Sequence, residues 1–288
     1  MHNLISDLFL DGGISIELDD YENPKAINLV KENFKKYGIV VLENFKIKPE
    51  NLINYTNHFT LKYSNDAQRR IERFGKKNIK SVDVGNHQIP LHSESSFTPA
   101  CPEIMWFYCV ESNSKNGTPT TICDGIKVWE KIPLEFKKKF LSEPIIYKVE
   151  AEIPKSKSKS NQVREWYIES IGVKDPMINF SEGKLSFFFK KYAVNNVKQI
   201  NKMSFCNHIL SIYDEKQILD SYIDSDKEFP KKIYKLIEDL TEKYTYEFKW
   251  KKNQLLIIDN LRFMHGRRAI KNDEKRDIIN IQTLISNF

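Results

Sequence analysis

LHSESSFTPACPEIMWFYC, residues 91–109, is the stretch on which the reading of this chain turns. It opens with His92 and Glu94 two residues apart. On an extended backbone, positions i and i+2 point to one face, so an imidazole and a carboxylate can reach one ion. Pro99 and Pro102 then break the chain, and 104–110 reads as an apolar, aromatic strand. His-x-Glu alone is weak, because such a pair arises often by chance. Two ligands also do not hold a metal for oxygen chemistry. Two His and one carboxylate, with coordination positions left open, form the non-haem iron(II) arrangement, so a third ligand must come from elsewhere.

The chain has 6 His, so the candidates are few. His2 lies at the terminus and His58 among polar neighbours on a helix face. His87, five residues before His92, falls on the opposite strand face or in a loop. His208 follows Phe205-Cys206-Asn207, and His265 follows an apolar strand at 255–258 and precedes Gly266-Arg267-Arg268. Spacing alone leaves His208 and His265 both open.

Outward from this motif, the chain reads as one domain over 1–288 without repeats or Gly/Ser-rich linkers. Residues 24–37 begin with Pro and place Ile27, Val30, Phe34 and Tyr37 at helical spacing, with Gly38 as the stop. A buried strand follows at 39–42, and Pro49 opens a second helix through about Leu61. Short strands are expected at 89–94, 104–110 and 120–123, and helices at 126–140 and 231–245. Residues 145–205 read as a lysine-rich, irregular lid insertion, with a short helix at 166–171 and an apolar segment at 185–189. Asp259-Asn260 is a turn. At 276–285 Arg276, Ile278, Asn280 and Gln282 share one strand face, with Ile279, Ile281 and Ile285 on the other. The fold class is α+β with a mainly β core, in keeping with 18 Phe and 13 Tyr.

A net charge of +6 is a mild excess for a chain with 29% charged residues. The lysine runs at 137–139, 155–159 and 251–252 are dispersed among acidic residues, whereas a nucleic-acid binder gathers its basic residues on one face. The 4 Cys form no C-x-x-C pair, so reduced thiols in the cytoplasm are expected. The first residues lack a basic segment before an apolar one, and no apolar run approaches the ~18 residues of a membrane span, so neither secretion nor membrane insertion is expected.

Four pieces, in order, resemble the taurine dioxygenase (TauD/TfdA) branch of the iron(II)/2-oxoglutarate oxygenases, over about residues 25–285. They are YGIVVLENF at 37–45, the 91–109 stretch, NGTPTTICDGIKVWEKIP at 116–133, and DNLRFMHGRRAI at 259–270 leading to KRDIINIQ at 275–282. Within the branch, the chain looks most like clavaminate synthase and the hydroxylases of peptide-antibiotic pathways. The resemblance implies a double-stranded β-helix, or jelly roll, with flanking helices. It implies Fe(II) held by His92, Glu94 and His265, with O2 and 2-oxoglutarate as co-substrates. Glu94 departs from the commoner Asp but keeps the charge. The far carboxylate of 2-oxoglutarate is expected on Arg276 and Thr120, with Thr118 and Thr121 as near alternatives. Asn280, where taurine dioxygenase has a second Arg, and Asn207 are expected to face the substrate.

The implied activity is oxidative decarboxylation of 2-oxoglutarate coupled to C–H oxidation, with hydroxylation the expected outcome. The substrate expected is a small polar molecule such as an amino acid, free or tethered to a carrier protein. Two other classes compete: a nucleic-acid-modifying oxygenase with the same iron site, and a jelly-roll ligand-binding protein without turnover. Dispersed lysines speak against the first, and the presence of both Arg276 and the third ligand against the second.

Overall fold

The computed structural model describes residues 4–9, 13–64, 70–82, 85–112, 118–152, 165, 168, 172, 178–181, 184–211, 217–223, 230–270 and 275–287. Two sheets form its core. The larger has nine strands, running Leu4–Phe9, Gly13–Glu17, Ile39–Glu43, Leu255–Asp259, Ile104–Ser112, Arg276–Ser286, Lys76–Ser81 and Glu72–Arg73, with Thr60–Tyr63 also paired to Arg276–Ser286. The smaller has four, in the order Thr245–Phe248, Thr120–Asp124, Phe263–Arg267 and Ile89–His92.

The central strands of the larger sheet, Ile39–Glu43, Ile104–Ser112 and Leu255–Asp259, are buried on both faces over most of their length, which is why their sequences read as apolar runs. Val40, Leu42, Trp106, Ile257, Ile279 and Ile281 pack with Ile27, Val30 and Phe34 of the helix Pro24–Tyr37. Ile39, Val41, Met105, Phe107, Ile258 and Ile278 point the other way and meet Ile122, Phe248 and Phe263 of the smaller sheet. Behind the smaller sheet a third cluster joins Leu91, Cys123 and Met264 to Val128, Phe140 and Ile237 on helices. This is the jelly-roll core with flanking helices that the sequence leads one to expect.

The helix Pro24–Tyr37 ends at Gly38, whose φ of 72° is left-handed. A Cβ there would also lie 2.7 Å from the Phe263 ring. Gly38→Ala is therefore expected to destabilise the fold by about 1–2 kcal/mol from the backbone alone, read from the midpoint of urea unfolding.

Several elements differ from expectation. The second helix is a 3-10 turn, Pro49–Asn51, and one short helix, Leu52–Thr56, after which Thr60–Tyr63 is a strand with Leu61 exposed. The helix expected over 126–140 is two, Gly125–Lys131 and Leu134–Ser142, because Pro133 holds Ile132 extended at ψ 131°. The helix expected over 231–245 ends at Lys243, and Thr245–Phe248 continues as a strand. Ile285, expected on one face with the buried Ile279 and Ile281, is exposed, past the register shift between Thr283 and Ile285.

Residues 145–205 are not irregular where described. Ile145–Glu152, Lys184–Lys191, Ile178–Ser181 and Gln217–Ile223 make a separate four-stranded antiparallel sheet, and Val194–Val197 pairs with Lys202–Phe205. The short helix expected at 166–171 lies outside the described residues except for Ile168. No described helix is long and apolar enough to cross a membrane.

Candidate metal centre

His92 ends the strand Ile89–His92 and stands directly opposite His265 in the antiparallel ladder. The close approach of the two strands depends on Gly266, where a Cβ would lie 2.5 Å from Ile89 O and 2.9 Å from Pro90 O. Gly266→Ala must push backbone aside and move His265 with it. A loss of about 1–3 kcal/mol in stability is expected, as for overpacking, together with weaker Mn(II) binding. Calorimetric titration with Mn(II) beside a urea melt checks both.

Glu94 is not on an extended strand, contrary to the simple i, i+2 argument. The strand stops at His92, and Glu94 begins a turn in which Ser95 has a φ of 49°. Ser93 N donates to Asn207 O at 2.8 Å instead of continuing the ladder. Asn260 holds both backbone groups of Glu94, its Oδ1 accepting from Glu94 N at 2.8 Å and its Nδ2 donating to Glu94 O at 3.1 Å. Ser93 Oγ donates to Asn260 O at 2.8 Å. The turn beside the larger sheet thus aims a carboxylate that the strand could not.

The result is convergence. Glu94 Oε2 lies 3.8 Å from His92 Nε2 and 3.9 Å from His265 Nε2, and one donor atom from each residue falls within 4.8 Å of the others. All three residues are buried. His92 Nδ1 is 2.9 Å from Pro90 O, a group that can only accept. Nδ1 therefore carries the proton, and the Nε2 lone pair faces Glu94. The Nδ1 of His265 has no hydrogen-bond partner among the described residues; its ring packs against Phe107 at 5.3 Å.

Electrostatics leave the cluster with the charges a divalent ion needs. Burial pushes the Glu94 carboxyl up, but the Arg70 guanidinium and the two imidazoles outweigh it and hold the group well below the usual carboxylate range. Burial lowers His265 to about 4 against the opposing pull of Glu94, so at neutral pH its imidazole is unprotonated. An unprotonated His265 imidazole and an ionised Glu94 carboxylate, with the Nε2 of His92 beside them, make a donor set that fits Fe(II) or Mn(II).

His208, the other third-ligand candidate, stands beside the cluster rather than in it. Its ring meets the His92 ring edge-on at 5.2 Å, and its Nδ1 is 3.1 Å from Ser93 O. Burial pushes its imidazole down to about 3. Among the described residues the metal-competent group is His92, Glu94 and His265 alone.

Arg276 and Thr120 meet in the cavity that these three residues line, Arg276 Nη2 donating to Thr120 Oγ1 at 3.0 Å. Trp250 Nε1 donates to the same hydroxyl at 2.8 Å. Thr121 instead lies beside Gly266, within 2.9 Å of where its Cβ would be. Asn280 also lines the cavity, and its Oδ1 is without a partner among the described residues. Asn207 does not line it. Its side chain donates to Ala193 O at 3.0 Å and accepts from Ile209 N at 3.0 Å, so its contribution is the carbonyl that receives Ser93 N.

Three residues of the centre were not legible as such in the sequence. Asn260 reads only as a turn residue, although it positions Glu94. Arg267, in the cavity wall, donates to the carbonyls of Gly85 and His87 at 2.7 and 2.9 Å. Arg70 sits in a polar stretch without periodicity or motif, yet its Nη2 lies 3.1 Å from Glu94 Oε2 with both side chains buried. No local pattern signals any of them.

The structure is similar to that of AAD-2 in complex with Mn(II) and N-oxalylglycine, at 18% identity and a TM-score of 0.63, covering 100% of this chain and 98% of that one. It is also similar to a taurine dioxygenase from Burkholderia xenovorans, at 13% identity and a TM-score of 0.62, covering 99% of this chain and 90% of that one. Identities this low speak for the fold alone. No curated protein matches the chain. The family model for taurine catabolism dioxygenase TauD, TfdA family matches residues 8–282. That match spans nearly the whole chain and takes in the strands and turns that carry His92, Glu94 and His265, so the chain belongs to the TauD, TfdA family and is an iron(II)- and 2-oxoglutarate-dependent dioxygenase.

Proposed function

We propose that the protein oxidises a C–H bond of a small polar substrate, with hydroxylation as the outcome. The substrate class is an amino acid, free or tethered to a carrier protein, as in the clavaminate synthase and peptide-antibiotic branch that the sequence resembles. One observation carries the reading: His92, Glu94 and His265 converge in the cavity that also holds the Arg276–Thr120 pair.

In this reading His92 and His265 hold Fe(II) through Nε2 and Glu94 through a carboxylate oxygen. The bound metal with O2 and 2-oxoglutarate supplies oxidative decarboxylation to succinate and CO2, coupled to substrate oxidation. Arg276 offers a planar fork to the far carboxylate of 2-oxoglutarate, and Thr120 adds one donor. Trp250 holds the Thr120 hydroxyl in place from behind. Phe107 and Val82 in the wall keep water from the charged groups, which strengthens every contact there. Asn280 presents an amide that can accept from an amine or a hydroxyl. A reducing cytoplasm suits the four thiols, none of them in a disulfide.

The test begins anaerobically. Fe(II) with 2-oxoglutarate should give the weak visible charge-transfer band of such complexes, and a binding-only protein should not. A substrate screen that follows succinate above the uncoupled background then addresses the class. Activity should stay nearly flat between low and physiological salt, because a small ligand does not displace the counterions that a nucleic acid would. Efficient turnover of an oligonucleotide or of taurine would end the amino-acid reading.

A further inference from the structure

We propose that Trp250 is a positioning residue for the co-substrate and acts through Thr120. Its indole N–H occupies the Thr120 hydroxyl oxygen, which leaves that hydroxyl only a proton to offer. The far carboxylate of 2-oxoglutarate is what takes the proton's hydrogen bond. The inference rests on the placement of the co-substrate against Arg276 and Thr120 proposed above, and deepens it.

Thr120 opens the strand Thr120–Asp124, and its backbone is paired on both sides, with Phe248 on one and Arg267 on the other. Its place is therefore fixed, and a β-branched side chain has few rotamers to choose from. Two donors reach its oxygen, Trp250 Nε1 at 2.8 Å and Arg276 Nη2 at 3.0 Å. Both can only donate, since neither an indole N–H nor a guanidinium is an acceptor. A hydroxyl has two lone pairs and one proton. With both lone pairs taken the proton is all that remains, and among the described residues nothing accepts it. Thr120 is 5% exposed and lines the cavity. A buried donor is normally paired, so the partner for that proton must come into the cavity.

The place of Trp250 suits the role. It stands just past the strand Thr245–Phe248, buried, with its ring against Phe248 at 4.7 Å and nearly perpendicular to it. A buried indole N–H needs an acceptor, and the Thr120 oxygen is the one it has. The ring does not line the cavity, so Trp250 acts on a ligand only through the hydroxyl it holds. Without the indole N–H, the Thr120 oxygen would keep a free lone pair and could accept as readily as donate. A ligand end bearing N–H would then fit as well as a carboxylate. Trp250 removes that choice. An ionised carboxylate only accepts, and so it answers the Thr120 proton and the Arg276 fork together.

The experiment uses the full chain loaded with Mn(II), titrated calorimetrically with N-oxalylglycine and with the analogue whose far carboxylate is a primary amide. The wild type is compared with Trp250→Phe, Thr120→Val and the double variant. Trp250→Phe removes the donor and keeps a ring in place. It should weaken N-oxalylglycine by about two- to ten-fold, the range of one neutral hydrogen bond, and narrow the gap between acid and amide. In the Thr120→Val background, which has no hydroxyl to orient, Trp250→Phe should cause no further loss. An equal loss in both backgrounds would overturn the proposal, as would an equal loss for acid and amide, since either marks a general effect on the fold. Unaltered binding in Trp250→Phe would have the same force, and so would loss of Mn(II) uptake in that variant. Should Trp250→Phe fail to fold, the benzothiophene analogue of tryptophan at position 250, with sulfur for the N–H and the same outline, decides by the same criteria. Wild-type protein that takes up neither Mn(II) nor N-oxalylglycine would instead bring down the oxygenase reading itself.

Discussion

His265→Ala is expected to abolish Mn(II) and Fe(II) binding, and turnover with it, while the circular dichroism of the fold is unchanged. His265 is one of three donors that converge on a single point, and the other two cannot replace it. Its strand partner, His92, holds its ring through Nδ1 on Pro90 O, so it cannot swing to compensate. His92→Ala should do the same. Glu94→Asp should retain partial activity, since the carboxylate survives on a shorter arm while Asn260 still holds the backbone. His208→Ala is the control: its Nδ1 is engaged by Ser93 O, and it touches His92 only by its ring. Metal binding measured by titration and by the Mn(II) spin-resonance signal separates these outcomes. Retained metal in His265→Ala, with loss in His208→Ala, would show that the third ligand is His208.

Arg276→Ala should raise the apparent KM for 2-oxoglutarate by about ten- to a hundred-fold, the equivalent of roughly 1.5–3 kcal/mol for a charge-assisted bidentate contact. The Kd of N-oxalylglycine should rise in parallel, with kcat at saturation much less affected. Thr120→Ala should have a smaller effect, around the ~1 kcal/mol of one neutral hydrogen bond. It should also lower stability, because the buried Trp250 Nε1 loses its acceptor. Thr120→Ser, which keeps the hydroxyl, should restore most of both. Unchanged 2-oxoglutarate dependence in Arg276→Ala would remove the assignment.

The elements read correctly from sequence are those whose cause is local. Pro24 at the first turn, apolar residues at helical spacing and Gly38 in the left-handed region define one helix without help from the rest of the chain. The buried strands at 39–42, 104–110 and 255–258 are visible for a related reason: both faces are covered, so every position is apolar. Where Pro133 splits a helical pattern, the signal was also local, but helical periodicity runs across it and masks the break. The sheet that includes Ile145–Glu152, Lys184–Lys191 and Gln217–Ile223 was missed because its strands pair across long separations and no local turn signal joins them.

The centre divides the same way. The sequence by itself determined the types of ligand, since His92, Glu94 and His265 stand in ordered motifs, and resemblance to the family suggested Arg276 and Thr120 beside them, with Thr118 and Thr121 left open. It could not choose between His208 and His265 by spacing, and it mistook the geometry of Glu94 for that of a strand. Only the tertiary structure decided those points. The direct opposition of His265 and His92 depends on strand register and on the space left by Gly266, the aim of Glu94 on a side chain 166 residues away, and the place of Arg70 on a segment with no local pattern. Register, close approach and buried charge pairing are relations between distant parts of the chain. A local pattern of residues records the chemistry available, and only the packed fold sets which groups stand a few ångström apart.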